Sequence, residues 1–145
     1  MKSQESVNKL LYSLSKTKFR GSFHLNSNMK DYVREKGINK IKDDAYQFIE
    51  NRIAPKNPKN DGKQTPMKAN SHPIFIAQHA CGCCCRSCLE RIHHINKNKE
   101  LSKEEIEYIV NVLITWINLE MKSNQFTCLW LLFLFLKILL IISYE

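Results

Sequence analysis

The stretch HPIFIAQHACGCCCRSCLERIHH, from His72 to His94, is the part of the chain around which the rest is organised. It holds five of the six cysteines and four of the five histidines in the whole sequence. Thiolate and imidazole groups are the protein ligands that zinc takes most often. The stretch therefore predicts a metal site, although a metal site alone identifies neither a reaction nor a partner.

The spacing within this stretch indicates which side chains would hold the metal. Cys85 and Cys88 are separated by two residues, the usual spacing for two thiolates on one zinc ion, and Cys84 shares a helical face with Cys88. His79 lies before the cysteines and His93 after them, close enough in sequence to complete a Cys2His2 or Cys3His tetrahedron. We therefore predict zinc as the cofactor and Cys84, Cys85, Cys88, His79 and His93 as its ligands.

Three other interpretations of the cysteines stay open at this point. A zinc ribbon would have a second, distant C-x2-C pair, and the sequence contains none. The thiols could instead hold an iron–sulfur cluster, perform thiol redox chemistry, or be buried without metal. The neighbouring Arg86 and Arg91 are expected to favour the thiolate forms.

Length and composition predict a single domain, and the first residues predict that it is cytoplasmic. The chain has 145 residues, of which 43% are hydrophobic and 25% charged, as in an ordinary foldable domain. The first residues, MKSQESVNKLL, lack the uninterrupted apolar run of an export signal, so we expect a protein that is not secreted. Clustered thiols in a reducing compartment more often bind metal or react than form structural disulfides. The net charge of +8 favours acidic partners.

Apolar spacing predicts most of the chain to be helical. The third predicted helix carries a continuous apolar stripe, with Asn39 as a possible cap, and Gly37 is expected to end the helix before it. The predicted helices and their apolar faces are Val7 to Leu14; Asn28 to Lys36; Ile41, Ala45, Phe48, Ile49 and Ile53; and a last helix from Ser102 to about Met121.

The last helix has the clearest start signal in the chain. Ser102 can cap the amide of Glu105 while the Glu105 side chain reaches back, which is the capping-box pattern. Behind it, one face is apolar and should close the core. Its members are Ile106, Ile109, Val110, Leu113, Trp116 and Ile117.

Two short strands are also expected, one at residues 19–25 and one at residues 73–77. His24, in the first of these, is expected to be a hydrogen-bonded core residue. The predicted fold class is therefore α+β and mainly helical. It comprises a small single domain, residues 1–121, with the Cys/His cluster, followed by a C-terminal hydrophobic helix.

A polar loop is predicted at residues 55–71, PKNPKNDGKQTPMKANS, which contains three prolines and few apolar side chains. The simplest interpretation is a solvated surface loop without a binding function. The alternative is a surface for nucleic acid or another polyanion. The lysines that would form it are Lys56, Lys59, Lys63 and Lys68.

The chain ends in an apolar segment, residues 122–145, whose core runs from Phe126 to Tyr144 and is interrupted by the single charge of Lys137. Its length fits the hydrocarbon core of a bilayer. One interpretation is a transmembrane tail anchor with the domain on the cytoplasmic side. The alternatives are an extra core helix or a chance extension of the chain.

The chain contains the sequences DGKQTPM, HPIFIAQHA and CCRSCLERIH, with FHL upstream and EEIEYIVNVLITWI downstream. Through these sequences it resembles short bacterial proteins of domain-of-unknown-function family 4186 over about residues 19–117. The resemblance implies no established activity. Cys81 and Cys83 stand where threonine-like residues are usual in that family, and Ile92 where tryptophan is usual. The positions that match the family are Cys84, Cys85, Cys88, His79 and His93.

Three classes of function follow from these observations. The first is an uncharacterised zinc-stabilised module of unknown partner, in which the metal supplements a small core. The second is a metal-dependent hydrolase that uses His72, His79 and the thiols beside the loop bearing Lys63. The third is a basic domain that binds nucleic acid through that loop, although the loop lacks aromatic residues between its lysines.

Overall fold

The structure, a computed structural model, describes residues 2–68 and 71–142, and in this part it is built from helices joined by short turns. A 3-10 turn, Arg20–Ser22, precedes the second helix, and a π-helical turn, Leu89–His93, follows the fifth. The helices are α1 Gln4–Ser15, α2 Ser27–Lys36, α3 Ile38–Arg52, α4 Pro73–Cys81, α5 Arg86–Cys88 and α6 Lys103–Ile142.

The α+β class is wrong, because the described residues contain no strand. Residues 19–25 include the 3-10 turn, and residues 73–77 begin α4. Pro73 sits in the first turn of α4, where its fixed φ suits a helix, and the His72 ring accepts a hydrogen bond from the amide of Ile74 at 3.2 Å. Every residue of α4 is buried, so its apolar run has no polar face to reveal a helical period.

His24 is not the core residue predicted from its apolar neighbours. Its side chain is 68% exposed, and Nδ1 lies 3.1 Å from a carboxylate oxygen of Glu120 on α6. The same carboxylate accepts a hydrogen bond from the backbone amide of Leu25 at 3.0 Å. The buried residue of this segment is therefore Leu25, and His24 lies outside the core.

The domain is organised around α4, which packs against α1, α2, α3 and α6, while α6 also packs across α3. The apolar faces predicted for the first and third helices are confirmed at the positions that point inward. Full burial of each valine, leucine or isoleucine among them contributes on the order of 2 kcal/mol. They are Val7 and Leu11 on α1, and Ile41, Ala45 and Ile49 on α3.

Gly37 joins α2 to α3. Its φ of 80° is positive as expected, but its ψ of 152° is extended rather than left-handed helical. Because α3 begins at Ile38, directly after Gly37, the predicted cap at Asn39 is wrong.

The start of α6 forms as predicted. The amide of Ser102 donates to the Glu105 carboxylate at 2.9 Å, and the amide of Glu105 donates to the Ser102 hydroxyl at 3.2 Å. The helix continues beyond its predicted end at Met121 to Ile142, because no proline or glycine follows to break it. The predicted apolar face is buried at Ile109, Val110, Leu113, Trp116 and Ile117, and it is half-buried at Ile106. Tyr108 and Val112 are buried as well.

The predicted tail anchor, residues 126–144, has its backbone described as part of α6 to Ile142, but most of its side chains lie outside the described part. Across the residues that are described, no helix is both long and apolar enough to cross a membrane. The boundary between residues 1–121 and 122–145 stays a prediction.

Candidate metal centre

The end of α4 turns the chain toward the cysteines. Gly82 caps the helix in the left-handed conformation, with φ 70° and ψ 29°, which glycine adopts without a steric penalty. A Cβ at this position would lie 2.4 Å from Cδ1 of Ile92. The amide of Cys83 then donates to the carbonyl of Gln78 at 2.8 Å, which fixes the path of the chain into the following turn.

Three of the predicted ligands meet just beyond this turn. The Sγ atoms of Cys84, Cys85 and Cys88 all lie within 4.8 Å of one another. Cys85 caps α5, and its sulfur accepts a hydrogen bond from the amide of Cys88 at 3.4 Å. Cys85 is buried, whereas Cys84 and Cys88 are half-buried. The bend at Cys84 and Cys85, together with the single turn of α5, therefore gathers three sulfurs at a site that is partly open to solvent.

Arg20 reaches this thiol cluster, defined as Cys84, Cys85 and Cys88, from the 3-10 turn. Its guanidinium donates to the sulfur of Cys88 at 3.2 Å and to that of Cys84 at 3.6 Å, and also to the carbonyl of His79 at 2.5 Å. Burial lowers the pKa of Arg20, but the hydrogen bonds to Cys84 and Cys88 outweigh it and raise the pKa overall. Arg20 is distant in sequence and was not predicted.

Arg86 does not favour the thiolate forms as expected. The side chain is almost completely buried, and it donates to the carbonyls of Ile53, Ala54, Asn96 and Lys99. It therefore joins the end of α3 to the turn before α6.

Arg91 does lie beside the thiols. Its guanidinium is 3.9 Å from the sulfur of Cys88, on the exposed side of the cluster. Arg20 and Arg91 are thus the cations that contact Cys88, one from the protein interior and the other from the surface.

The thiols differ in acidity. Hydrogen bonds from Cys84 and Cys85, and then the guanidinium of Arg20, lower the pKa of Cys88 far below its ordinary value. The hydrogen bonds with Cys84 and Cys88 raise the pKa of Cys85. For Cys84, the hydrogen bond with Cys85 lowers the pKa, but the one with Cys88 and burial outweigh it, so that this pKa is also raised. The contacts of Arg20 and Arg91 with Cys88 thus favour the thiolate form of this residue.

The polar loop packs over the cysteine turn instead of being solvated along its whole length. Thr65 is buried, and its hydroxyl donates to the carbonyl of Cys84 at 2.9 Å. The Asp61 carboxylate accepts a hydrogen bond from the amide of Arg86 at 3.2 Å. The four loop lysines are exposed, as the surface interpretation requires, and their binding of a polyanion stays a prediction. They are Lys56, Lys59, Lys63 and Lys68.

His93 lies in a separate buried group. Its Nε2 is 2.9 Å from the carbonyl oxygen of Cys81, which can only accept, so Nε2 carries the proton. Nδ1 therefore accepts from the hydroxyl of Tyr108 at 3.0 Å. Burial lowers the pKa of His93 to about 4. Both ring nitrogens are thus engaged away from the thiol cluster.

His79 also uses a ring nitrogen elsewhere. Its Nε2 donates to the carbonyl oxygen of Thr65 at 3.1 Å, and its ring stacks on Phe23 with 5.3 Å between the centroids. Burial lowers its pKa. Neither His79 nor His93 is among the residues whose ligand atoms gather with the three sulfurs.

His72, the first residue of the predicted hydrolytic site, is at the opposite end of α4 from the thiols. Its Nε2 is 3.1 Å from a carboxylate oxygen of Asp44, and its ring lines a cavity of about 490 Å³ with Tyr32 and Pro73. The length of α4, roughly 13 Å, separates this cavity from the cysteine turn. His72 therefore cannot act together with the thiol cluster.

Cys81 and Cys83 are fully buried and separate from the thiol cluster. The sulfur of Cys83 contacts Nε2 of His93 at 3.3 Å. Burial raises the pKa of both thiols well above its ordinary value. They are neutral packing residues, consistent with the threonine-like residues that the resemblance places there.

Comparison with known proteins gives a family but no close structure. A family described as a domain of unknown function, DUF4186, matches residues 8–118. The match includes Arg20, the polar loop and the thiol cluster, and it ends before the apolar C-terminal segment. No solved structure matches the chain.

Proposed function

The chain belongs to the DUF4186 family, a domain of unknown function, and from this premise we propose that it is a small metal-binding module whose thiol cluster holds one zinc ion. The convergence of three sulfurs within 4.8 Å carries the proposal. Zinc–sulfur bonds of about 2.3 Å in tetrahedral geometry place neighbouring sulfurs about 3.8 Å apart. Small side-chain rotations suffice to bring the sulfurs to that separation.

The same spacing favours a single ion over an iron–sulfur cluster. In a 4Fe–4S cluster, each cysteine binds a different iron atom, so the sulfurs stand further apart than around one ion. Cys84 and Cys85 are adjacent in the chain and share one turn with Cys88, which suits convergence on one point.

Charge also supports a divalent ion at this position. Three thiolates and one divalent cation leave a single negative charge, and the buried guanidinium of Arg20 can neutralise it. Binding would release the protons of Cys84 and Cys85, because only thiolates ligate zinc.

A tetrahedral zinc ion needs a fourth ligand besides the three sulfurs, and the structure does not place either predicted histidine there. His93 would have to give up its hydrogen bonds to Cys81 and Tyr108, and neither ring nitrogen of His79 lies with the three sulfurs. We therefore propose three protein thiolates with a fourth, non-histidine ligand such as water. A water at that position would be polarised by the metal.

Metal analysis of purified protein and of single variants tests this proposal. We expect about one zinc per chain in the wild type, and its loss in Cys84→Ser, Cys85→Ser and Cys88→Ser. Cys81→Ala is the matched control, because its buried thiol lies near the same turn but outside the cluster, and His79→Gln should also keep the metal. Loss of zinc in His79→Gln, with the fold intact, would show that a ring nitrogen of His79 completes the site. Absence of metal from wild-type protein prepared without chelator would refute the proposal.

A further inference from the structure

The thiol cluster has features that a purely structural metal site does not need. Two of its sulfurs, on Cys84 and Cys88, are half-buried rather than enclosed. Cys88 contacts one buried and one exposed arginine. A thiolate with access to solvent, adjacent cations and a neighbouring thiol is the arrangement found in redox-sensitive cysteines.

Building on the proposed function, we propose that this metal centre is a peroxide-responsive switch, in which oxidation of Cys88 by a hydroperoxide joins it to Cys84 or Cys85 and expels the metal. The attacking sulfur is that of Cys88, because it has solvent access and contacts with both Arg20 and Arg91. The buried Cys81 and Cys83 take no part.

The chemistry balances in two steps. The Cys88 thiolate attacks one peroxide oxygen; an S–O bond forms, the O–O bond breaks, and hydroxide or alkoxide leaves, so that the sulfur becomes a sulfenic acid. The thiolate of Cys84 or Cys85 then attacks the Cys88 sulfur; an S–S bond forms, and the S–O bond breaks with loss of hydroxide. The peroxide is reduced by the two electrons that the sulfurs give up. One thiolate remains, which is too few to retain the ion.

Arg20 connects this reaction to the fold. In the reduced cluster it bridges the sulfurs of Cys84 and Cys88 to the carbonyl of His79. A disulfide carries no negative charge, so a Cys84–Cys88 bond removes both anionic sulfurs that the buried guanidinium contacts, and a Cys85–Cys88 bond removes the nearer of the two. We expect the turn Arg20–Ser22 to open in response. In the reduced protein, the amide of Gly21 in this turn donates to the carbonyl of Thr17 at 2.9 Å.

The test uses full-length, zinc-loaded protein carrying Cys128→Ser, so that the cysteine outside the cluster region does not react. Hydrogen peroxide is added, and zinc release, free thiols, peptide disulfides and amide exchange are followed. We expect release of the bound zinc, a loss of about two thiols per chain, a disulfide joining Cys88 to Cys84 or Cys85, and faster exchange at the amide of Gly21. Dithiothreitol with added zinc should reverse all four.

Arg20→Met separates the switch from simple oxidation. It should slow zinc release by peroxide and weaken zinc affinity by about 10- to 100-fold, while Arg20→Lys restores part of each. Arg34→Met, at an exposed arginine paired with Asp31, is the control and should change neither.

The outcomes distinguish this inference from the proposed function. If the protein binds zinc but peroxide neither releases the zinc nor forms the disulfide, the switch is refuted and the proposed metal site is not. A disulfide that includes Cys81 or Cys83 also overturns it. Protein that binds no zinc overturns both.

Discussion

His93 shows how one buried residue makes this domain sensitive to pH. The ring is neutral in the folded protein, with a pKa lowered by burial to about 4 from an ordinary value of 6.5. As the pH falls below 6.5, the unfolded chain binds a proton that the folded chain does not bind until about pH 4. Falling pH therefore favours unfolding in this window, and the stability present above pH 6.5 is progressively lost.

We predict that the free energy of unfolding falls by on the order of 3 kcal/mol between pH 7 and pH 4 on account of His93. Urea unfolding in the presence of chelator, which removes the effect of metal, measures this change. His93→Gln should be less stable at pH 7, because it loses ring packing, but its stability should fall less with pH. Parallel pH profiles for the two proteins would contradict the assignment.

Among the elements, the junction between α4 and the cysteine turn depends most on a single residue. Gly82→Ala would place a side chain in the left-handed region, which costs roughly 1–2 kcal/mol, and would press its Cβ on Ile92. We predict a lower melting temperature and weaker zinc binding, because the thiol cluster follows directly after this residue.

Gly62→Ala is the matched control for this effect. Gly62 also has a positive φ, of 91°, but its added Cβ would meet nothing within 4 Å. It should therefore lose stability through backbone strain alone and keep its zinc affinity. If Gly82→Ala and Gly62→Ala behave alike in both measurements, the contact with Ile92 has no influence on the site.

The elements that the sequence predicts well are those with local signals. The capping box at Ser102 and Glu105 forms because its partners are three residues apart, and the C-x2-C pair converges because one helical turn spans it. The strand predicted at residues 73–77 is wrong, because a helix buried on all sides shows no helical periodicity in its sequence.

The contacts that the sequence could not predict join distant segments. Arg20 reaches Cys88, and Thr65 from the polar loop reaches Cys84, only after the helices have packed. The one local hint was an arginine between aromatic residues in FRGSFHL. The expectation that Arg86 would activate the thiols came from adjacency in sequence, but neighbouring side chains on a helix point in different directions.

At the scale of the whole molecule, the apolar C-terminal segment carries the prediction of a membrane anchor. The residues described give no membrane-spanning helix, whereas the sequence of residues 126–144 approaches the roughly 20 apolar residues that a span requires. If that segment is an anchor, full-length protein should pellet with membranes and resist carbonate extraction, while protein ending at Lys122 should stay in the supernatant. Identical fractionation of both proteins would remove the anchor.

The central claim is that the three sulfurs of the thiol cluster bind a single metal ion. X-ray absorption at the zinc edge on the purified full-length protein tests it most directly, because it counts the ligands around the ion and measures their distances. We predict three sulfur neighbours at about 2.3 Å and one lighter oxygen neighbour. A shell of two sulfurs and two imidazole nitrogens, or no zinc signal in protein that is folded, would contradict it.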